Sequence, residues 1–381
     1  MAMETKKYEN GMRVFETSFL KQKEMPSEFV WSSEDLTETA KENLNEPLID
    51  LNDFTKGDEE AMARACQLVR EACVKHGFFQ VTNHGVDPLL IQAAYDVMSA
   101  IFSLPLDVKL KAERPRGRVQ GYAGVQHHAD RFSSTNLPWK EAYSCEYSNQ
   151  GSDSHIIEHF KSAFGDKIDK HTGEVCQRYG DAMKGLSEVI MEVLAMSLGV
   201  ERSYFKEYFK DGGGIMRCNF YPPCPLSNLT LGTGPHSDPA SVTILHQDQV
   251  GGLQVYIDNK WLAVQPRSEA FVINIGDTFQ ALTNGKFKSC VHRALVNREK
   301  ERRSLVYFIV PNKDKTVKPP EELLLGEKEE RKYPDFKWSD LFTFSQLHHR
   351  PDTHTLTSFV QWFLSSKSNN DQSLPSSNNN A

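Results

Sequence analysis

The chain has 381 residues, 39% of them hydrophobic and 25% charged, a balance able to bury one large core or two modest ones. Its formal net charge of -7 gives no global attraction to a phosphate backbone, so nucleic-acid binding is not expected, and no apolar run reaches the roughly 18 residues that span a bilayer. Seven cysteines without a Cys-x-x-Cys pair speak against a disulfide framework or a zinc knuckle, and with no apolar signal core at the N-terminus the expected compartment is the cytoplasm.

Residues 1–45 are polar and aperiodic, which predicts a surface-hugging arm. From 46 to 210 the pattern predicts an α/β lobe. Glu46–Leu51 is a short apolar strand, and Asp58-Glu59-Glu60 puts negative charge at a helix start. Ala61, Ala65, Leu68, Val69 and Ala72 mark one face of that helix, and Gly77 stops it. Phe78–Val81 is a second strand; Asp87-Pro88 then reads as an N-cap with proline in the first helical turn. His76 and His84, at a helix end and in a turn, suit structural roles. A loop over Pro115–Gly124 leads to Leu137-Pro138-Trp139-Lys140-Glu141, and such loops often form pocket walls. A long helix is predicted from about Glu174 to Leu198, with Gly199 as its stop.

From 211 to 345 the period shifts to alternation. Short strands at Val242–Leu245, Leu253–Ile257, Trp261–Val264, Phe271–Ile275, Val291–Val296 and Ser304–Ile309 predict a double-sheet jelly roll or barrel. A helix is expected within 346–364, around Thr355–Leu364, and a disordered tail over 365–381.

His236 and Asp238 are two apart, so on an extended strand both reach one metal ion from the same face. A second His-x-Asp, His246 and Asp248, competes with it. Were 236–246 one strand, His246 would lie about 26 Å from Asp238, too far to share an ion. His292, mid-strand and distant in sequence, is the best third ligand. Two histidines and one carboxylate leave coordination positions open, which points to Fe(II) and oxygen chemistry rather than structural zinc. Arg302 and Ser304, also two apart, offer a guanidinium fork and a hydroxyl that suit a dicarboxylate.

With Asn219-Phe220-Tyr221-Pro222-Pro223-Cys224 upstream, and Gly77-Phe78-Phe79 and Asn83-His84-Gly85 near the start, this combination resembles the plant 2-oxoglutarate- and Fe(II)-dependent dioxygenases over roughly residues 46–345. Leu137–Glu141 and the run from Leu231 to Gln249 resemble the gibberellin 20-oxidases among them. The resemblance implies a mainly β fold with flanking helices: a distorted double-stranded β-helix (jelly-roll, cupin-like) with an α/β N-terminal lobe. It implies Fe(II) on His236, Asp238 and His292, and 2-oxoglutarate on Arg302 and Ser304 with Tyr221 and Asn219 beside it. It also implies O2, with ascorbate as reductant, and a small diterpenoid acid oxidised in steps at carbon 20 by a monomer, with no membrane involved. Trp139, Lys140 and Arg131 are substrate candidates by position. The rival readings are a gibberellin 2- or 3-oxidase, a flavonoid oxygenase, or an inactive jelly-roll binding module. Phe220, Ser237 and Ala142-Tyr143 depart from the family pattern; by strand alternation Ser237 is expected to point away from the metal.

Overall fold

The computed structural model describes residues 25–371 except 34–35, 37–39, 116, 125–135, 149–154, 166–167, 169, 326–329 and 349–354. Its N-terminal third follows the capping chemistry of the sequence. After β1 (Glu42–Asn43), β2 (Leu48–Asp50) and α1 (Leu51–Lys56), helix α2 (Glu59–Lys75) begins where Asp58 Oδ1 accepts a hydrogen bond from the Ala61 amide at 2.9 Å. Gly77 ends the helix at φ +72, where a Cβ would lie 2.0 Å from the Lys288 carbonyl oxygen. Strand β3 (Phe78–Thr82) follows, and α3 (Pro88–Ser103) starts with the Asp87 carboxylate accepting from the Leu89 amide.

The remaining helices are α4 (Leu106–Lys111), α5 (His155–Phe164), α6 (Lys170–Leu198), α7 (Tyr204–Phe209) and α8 (Asp277–Leu282), then α9 (Trp338–His348) and α10 (Thr355–Asp371). The strands are β4 (Gly121–Ala123), β5 (Glu141–Ser148), β6 (Gly213–Tyr221), β7 (Thr233–His236), β8 (Val242–Gln247), β9 (Leu253–Ile257), β10 (Lys260–Ala263), β11 (Phe271–Ile275), β12 (His292–Ala294) and β13 (Arg302–Val310), with a small pair β14 (Thr316–Val317) and β15 (Phe336–Lys337).

Two sheets face each other. The larger runs β2-β3-β11-β8-β13-β6-β5-β4 and the smaller β1-β10-β9-β12-β7. Phe78, Leu253, Val255, Ile257, Val264 and Val272 fill the space between them at one end. The outer face of the larger sheet packs on α2, α3 and α6, where Val69, Ile101, Met183, Ile190, Val193 and Leu194 are fully buried. At about 25 cal/mol per Å² this apolar layer is the main source of stability. The result is the double-sheet jelly roll with flanking helices expected from the alternating strands.

The ends of the chain differ from what the pattern predicts, and the lobe is joined to the core. The α/β lobe shares the core's larger sheet: β3, buried on both faces, pairs antiparallel with β11, Phe79 opposite Ile273. The arm is not confined to the surface. Phe29 and Trp31 are buried, and Glu42–Asn43 pair in parallel with Leu262–Ala263. At the other end α10 runs past Leu364 to Asp371, with Ser365 and Ser366 donating back to the Gln361 and Trp362 carbonyls. The expected disorder beyond 371 lies outside the described residues.

Candidate metal and co-substrate site

The polar end of the space between the sheets is built on cross-strand register. β7 and β12 are antiparallel neighbours with His236 directly opposite His292, and their rings lie 4.3 Å apart. His236 Nδ1 meets the Gly234 carbonyl at 2.9 Å and His292 Nδ1 meets the Cys290 carbonyl at 3.2 Å. A carbonyl only accepts, so each Nδ1 carries the proton and each Nε2 keeps its lone pair. Those Nε2 atoms face Asp238, at 3.5 Å from Oδ1 and 3.7 Å from Oδ2. Thr243 Oγ1 and Asn274 Nδ2 donate to Asp238 Oδ2 at 2.7 and 3.0 Å, orienting the carboxylate from the larger sheet.

One ligand atom from each of His236, Asp238 and His292 lies within 4.8 Å of the others. Two neutral imidazoles and a carboxylate on one face form the donor set suited to a divalent iron with open positions. Burial pushes the Asp238 carboxyl up, but His292, His236 and Asn274 together hold it well below the usual range, so it stays ionised at neutral pH. Burial, reinforced by His236, pushes His292 down to about 4 and keeps it neutral.

Beside this trio, β13 and β6 present a second set. Arg302 lies opposite Tyr221 and Ser304 opposite Asn219. Arg302 is 1% exposed; Nε donates to the Gly251 carbonyl and Nη2 to Gln247 Oε1, while its buried Nη1 has no partner among the described residues. A buried guanidinium with a free donor is costly unless an anion arrives, so the site fits the free end of a dicarboxylate. Asn219 Nδ2 donates to Ser304 Oγ at 3.3 Å, and Tyr221 and Thr233 hydroxyls lie 3.2 Å apart.

Lys140 joins this set: its Nζ donates to Thr233 Oγ1 at 2.9 Å and lies 3.5 Å from Asn219 Oδ1. Burial, with like charge from Arg217, Arg114 and Arg302, pushes its ammonium down to about 7. Trp139 is buried edge-on against Phe29 in a cluster behind Tyr221. Arg131 lies outside the described residues. His246 sits apart from the trio, its Nδ1 on the Tyr95 hydroxyl and its Nε2 on the Ser268 carbonyl. Ser237 turns to the Asp277 carboxylate, as strand alternation predicted.

Residues 212–311 match the 2OG-Fe(II) oxygenase superfamily, and residues 47–163 match the non-haem dioxygenase in morphine synthesis N-terminal family. Gibberellin 20 oxidase 3 of Arabidopsis thaliana is 49% identical over 360 residues, 93% of this chain and 94% of that one. The chain belongs to the gibberellin 20-oxidase branch of the 2-oxoglutarate- and Fe(II)-dependent oxygenases. Another member, gibberellin 20 oxidase 2 of Oryza sativa subsp. japonica, is 48% identical over 338 residues, 89% of this chain and 85% of its own. Among solved structures, JOX2 in complex with 2OG, Fe, and JA aligns with a TM-score of 0.74 at 31% identity, over 89% of this chain and 94% of that one. The rice dioxygenase for auxin oxidation aligns at 0.66 with 27% identity, over 79% and 95%. As a 2-oxoglutarate-dependent dioxygenase of this branch, the chain is an oxidoreductase that uses Fe(II), 2-oxoglutarate and O2 on a small molecule.

Two cations went unnoticed in the sequence. Arg217 shares the inward face of β6 with Asn219 and Tyr221, and its position two residues before Asn219 was the available signal. Arg114, in the connection after α4, is close enough for Arg217 to lower it and for it to lower Lys140, and no local pattern announces that.

Proposed function

We propose that this enzyme oxidises gibberellin precursors at carbon 20, from methyl to alcohol to aldehyde with final loss of that carbon, releasing succinate and CO2. The observation that carries the reading is near-full-length similarity to gibberellin 20 oxidases joined to the His236–Asp238–His292 trio and the free Arg302 donor. In this reading His236, Asp238 and His292 hold the iron, and Arg302 and Ser304 grip the distal carboxylate of 2-oxoglutarate, with Tyr221 and Asn219 beside them. When bound, iron and 2-oxoglutarate supply the oxidising power to break an unactivated C–H bond.

The chain's own residues do the positioning. The Gly234 and Cys290 carbonyls lock both imidazoles in the tautomer that points Nε2 at Asp238. Thr243 and Asn274 fix the carboxylate, and the Gly251 carbonyl and Gln247 aim the Arg302 fork. Lys140 adds a cation at the co-substrate end, where its contacts to Thr233 and Asn219 favour contact with 2-oxoglutarate over contact with the substrate. We further propose a cytoplasmic monomer. No helix among the described residues is long and apolar enough to cross a membrane.

Purified enzyme with Fe(II), ascorbate, 2-oxoglutarate and a carbon-20 methyl or aldehyde precursor is expected to give the stepwise products, read by mass spectrometry. Turnover of a flavonoid, or hydroxylation of a gibberellin at another carbon with carbon 20 untouched, would overturn the assignment.

A further inference from the structure

The inward face of the larger sheet carries a second cationic pole. Along β13 and β6 the facing pairs are Arg302 with Tyr221, Ser304 with Asn219, and Val306 with Arg217. Arg217 therefore lies four residues along β6 from Tyr221, about 13 Å away on the same face. Its guanidinium stacks over Phe308 at 5.4 Å; Phe308 lies opposite Thr243, which holds Asp238. The second pole thus adjoins the metal trio at a different rung from Arg302.

Arg217 Nε donates to Ser144 Oγ at 3.0 Å, and among the described residues its other donors meet no acceptor. Arg114 brings another guanidinium. Its chain is stitched to β4 by the Tyr122 amide on the Ala112 carbonyl and its own amide on the Tyr122 carbonyl. Among the described residues, no carboxylate lies within ion-pair distance of either arginine. Glu141, on the neighbouring strand, belongs to the opposite face, where Lys109 and Tyr122 occupy it.

We propose that Arg217 and Arg114 form the subsite for a carboxylate of the substrate, so that a lipophilic acid lies with its anionic end on this pair and its oxidised carbon at the trio. The identity of that acid rests on the gibberellin reading above; the subsite itself rests on the two arginines. A short diacid anchored at Arg302 does not extend four residues along the sheet, so the second pole serves a different anion. Its charges are also held at a cost. Burial, then Arg217, pushes Arg114 down to about 10, and burial lowers Arg217 despite the pull of Asp238. An arriving carboxylate relieves that cost and gains a planar fork from each side chain.

The test titrates protein loaded with Mn(II) and 2-oxoglutarate against a gibberellin precursor acid and its fully methylated ester. The wild-type protein is expected to bind the acid at least tenfold more tightly. Arg217→Gln and Arg114→Gln each weaken the acid at least tenfold, leave the ester within about twofold and leave 2-oxoglutarate affinity unchanged; Arg217→Lys recovers part of the preference. Arg114 lies in a connection rather than mid-strand, so its variant reads the same subsite if Arg217→Gln fails to fold. Equal loss of acid and ester, or weaker 2-oxoglutarate binding instead, overturns the proposal. The same titration with other lipophilic acids and their esters separates the two readings. An acid preference that depends on Arg217 for another acid, with no gibberellin bound, sinks the gibberellin assignment and keeps the subsite. No acid preference with any pair sinks the subsite.

Discussion

Gly234, two residues before His236, carries Trp31 of the N-terminal arm directly on its Cα. A Cβ there would meet Trp31 Cη2 at 2.2 Å and Cζ3 at 2.7 Å, against an ordinary carbon contact of about 3.5–4.0 Å. Gly234→Ala therefore demands a displacement of about 1.3 Å. Trp31 cannot yield freely: it is 5% exposed, its Nε1 donates to the Leu137 carbonyl at 3.0 Å and its amide to the Leu229 carbonyl at 2.9 Å. Expelling the ring forfeits its burial, about 3–5 kcal/mol, and a hydrogen bond worth about 1 kcal/mol. The alternative is movement of β7, which carries the His236 imidazole out of its place opposite His292 and beside Asp238. In either case the substitution couples to the metal site. Mn(II) affinity by isothermal titration and the unfolding midpoint, measured for Gly234→Ala, Trp31→Ala and the double variant, separate the routes. The clash predicts that the double variant is no worse than Trp31→Ala, a strongly favourable coupling. Gly234→Ala with wild-type metal affinity and wild-type stability would refute the reasoning.

Arg302→Leu removes a buried fork with one donor reserved for an anion, and the 2-oxoglutarate KM is expected to rise at least a hundredfold, about 3 kcal/mol, with Mn(II) affinity retained. The buried Lys109–Glu141 pair, at 2.6 Å with the Tyr122 hydroxyl on the same oxygen, makes Lys109→Met costly by about 3–5 kcal/mol; denaturant melts should show Lys109→Met/Glu141→Gln recovering much of that. His76, 3% exposed and pushed down to about 4 chiefly by burial, binds fewer protons folded than unfolded. Its effect on stability is nil above pH 6.5 and grows as pH falls toward 4, to about 3 kcal/mol. His76→Gln should flatten that part of the pH–stability curve, seen in urea midpoints between pH 7 and 4.

The metal trio was legible from residues two apart: Arg302 and Ser304 share a face of β13, whereas β7 ends at His236 and Asp238 follows just beyond it, still within reach of the same point. His292 followed only from needing a partner far along the chain; its register opposite His236 depends on which strands become neighbours, and no local pattern carries that. The same limit hid the pairing of Arg302 with Tyr221 and of Ser304 with Asn219. Arg217 was readable by the parity rule already in use, whereas Arg114 was not, since a connection without periodicity delivers it. The arm was misjudged for a related reason. Phe29 and Trp31 lie in a polar segment with no repeat, and only the bare Cα of Gly234 makes a seat for the indole. α10 runs past its expected end through Ser365 and Ser366, whose hydroxyls turn back onto the Gln361 and Trp362 carbonyls, a local accommodation that a polar composition does not announce.

The order of the larger sheet carries a consequence for how the protein is made. Its middle strands, β11, β8, β13 and β6, all come from residues 213–310, while β2 and β3 on one side and β5 and β4 on the other come from residues 48–148. During synthesis both flanks leave the ribosome well before the strands that will join them. At about 5–20 residues per second the gap between β3 and its partner β11 is on the order of 10 seconds or more. Through that interval β3 can pair with β2 on one edge, but the edge that will meet β11 has no lasting partner, and the closure that ends it spans a long loop. Shielding the nascent chain over that interval, by slower growth or added chaperone, is therefore expected to raise the yield of folded protein in a heterologous host.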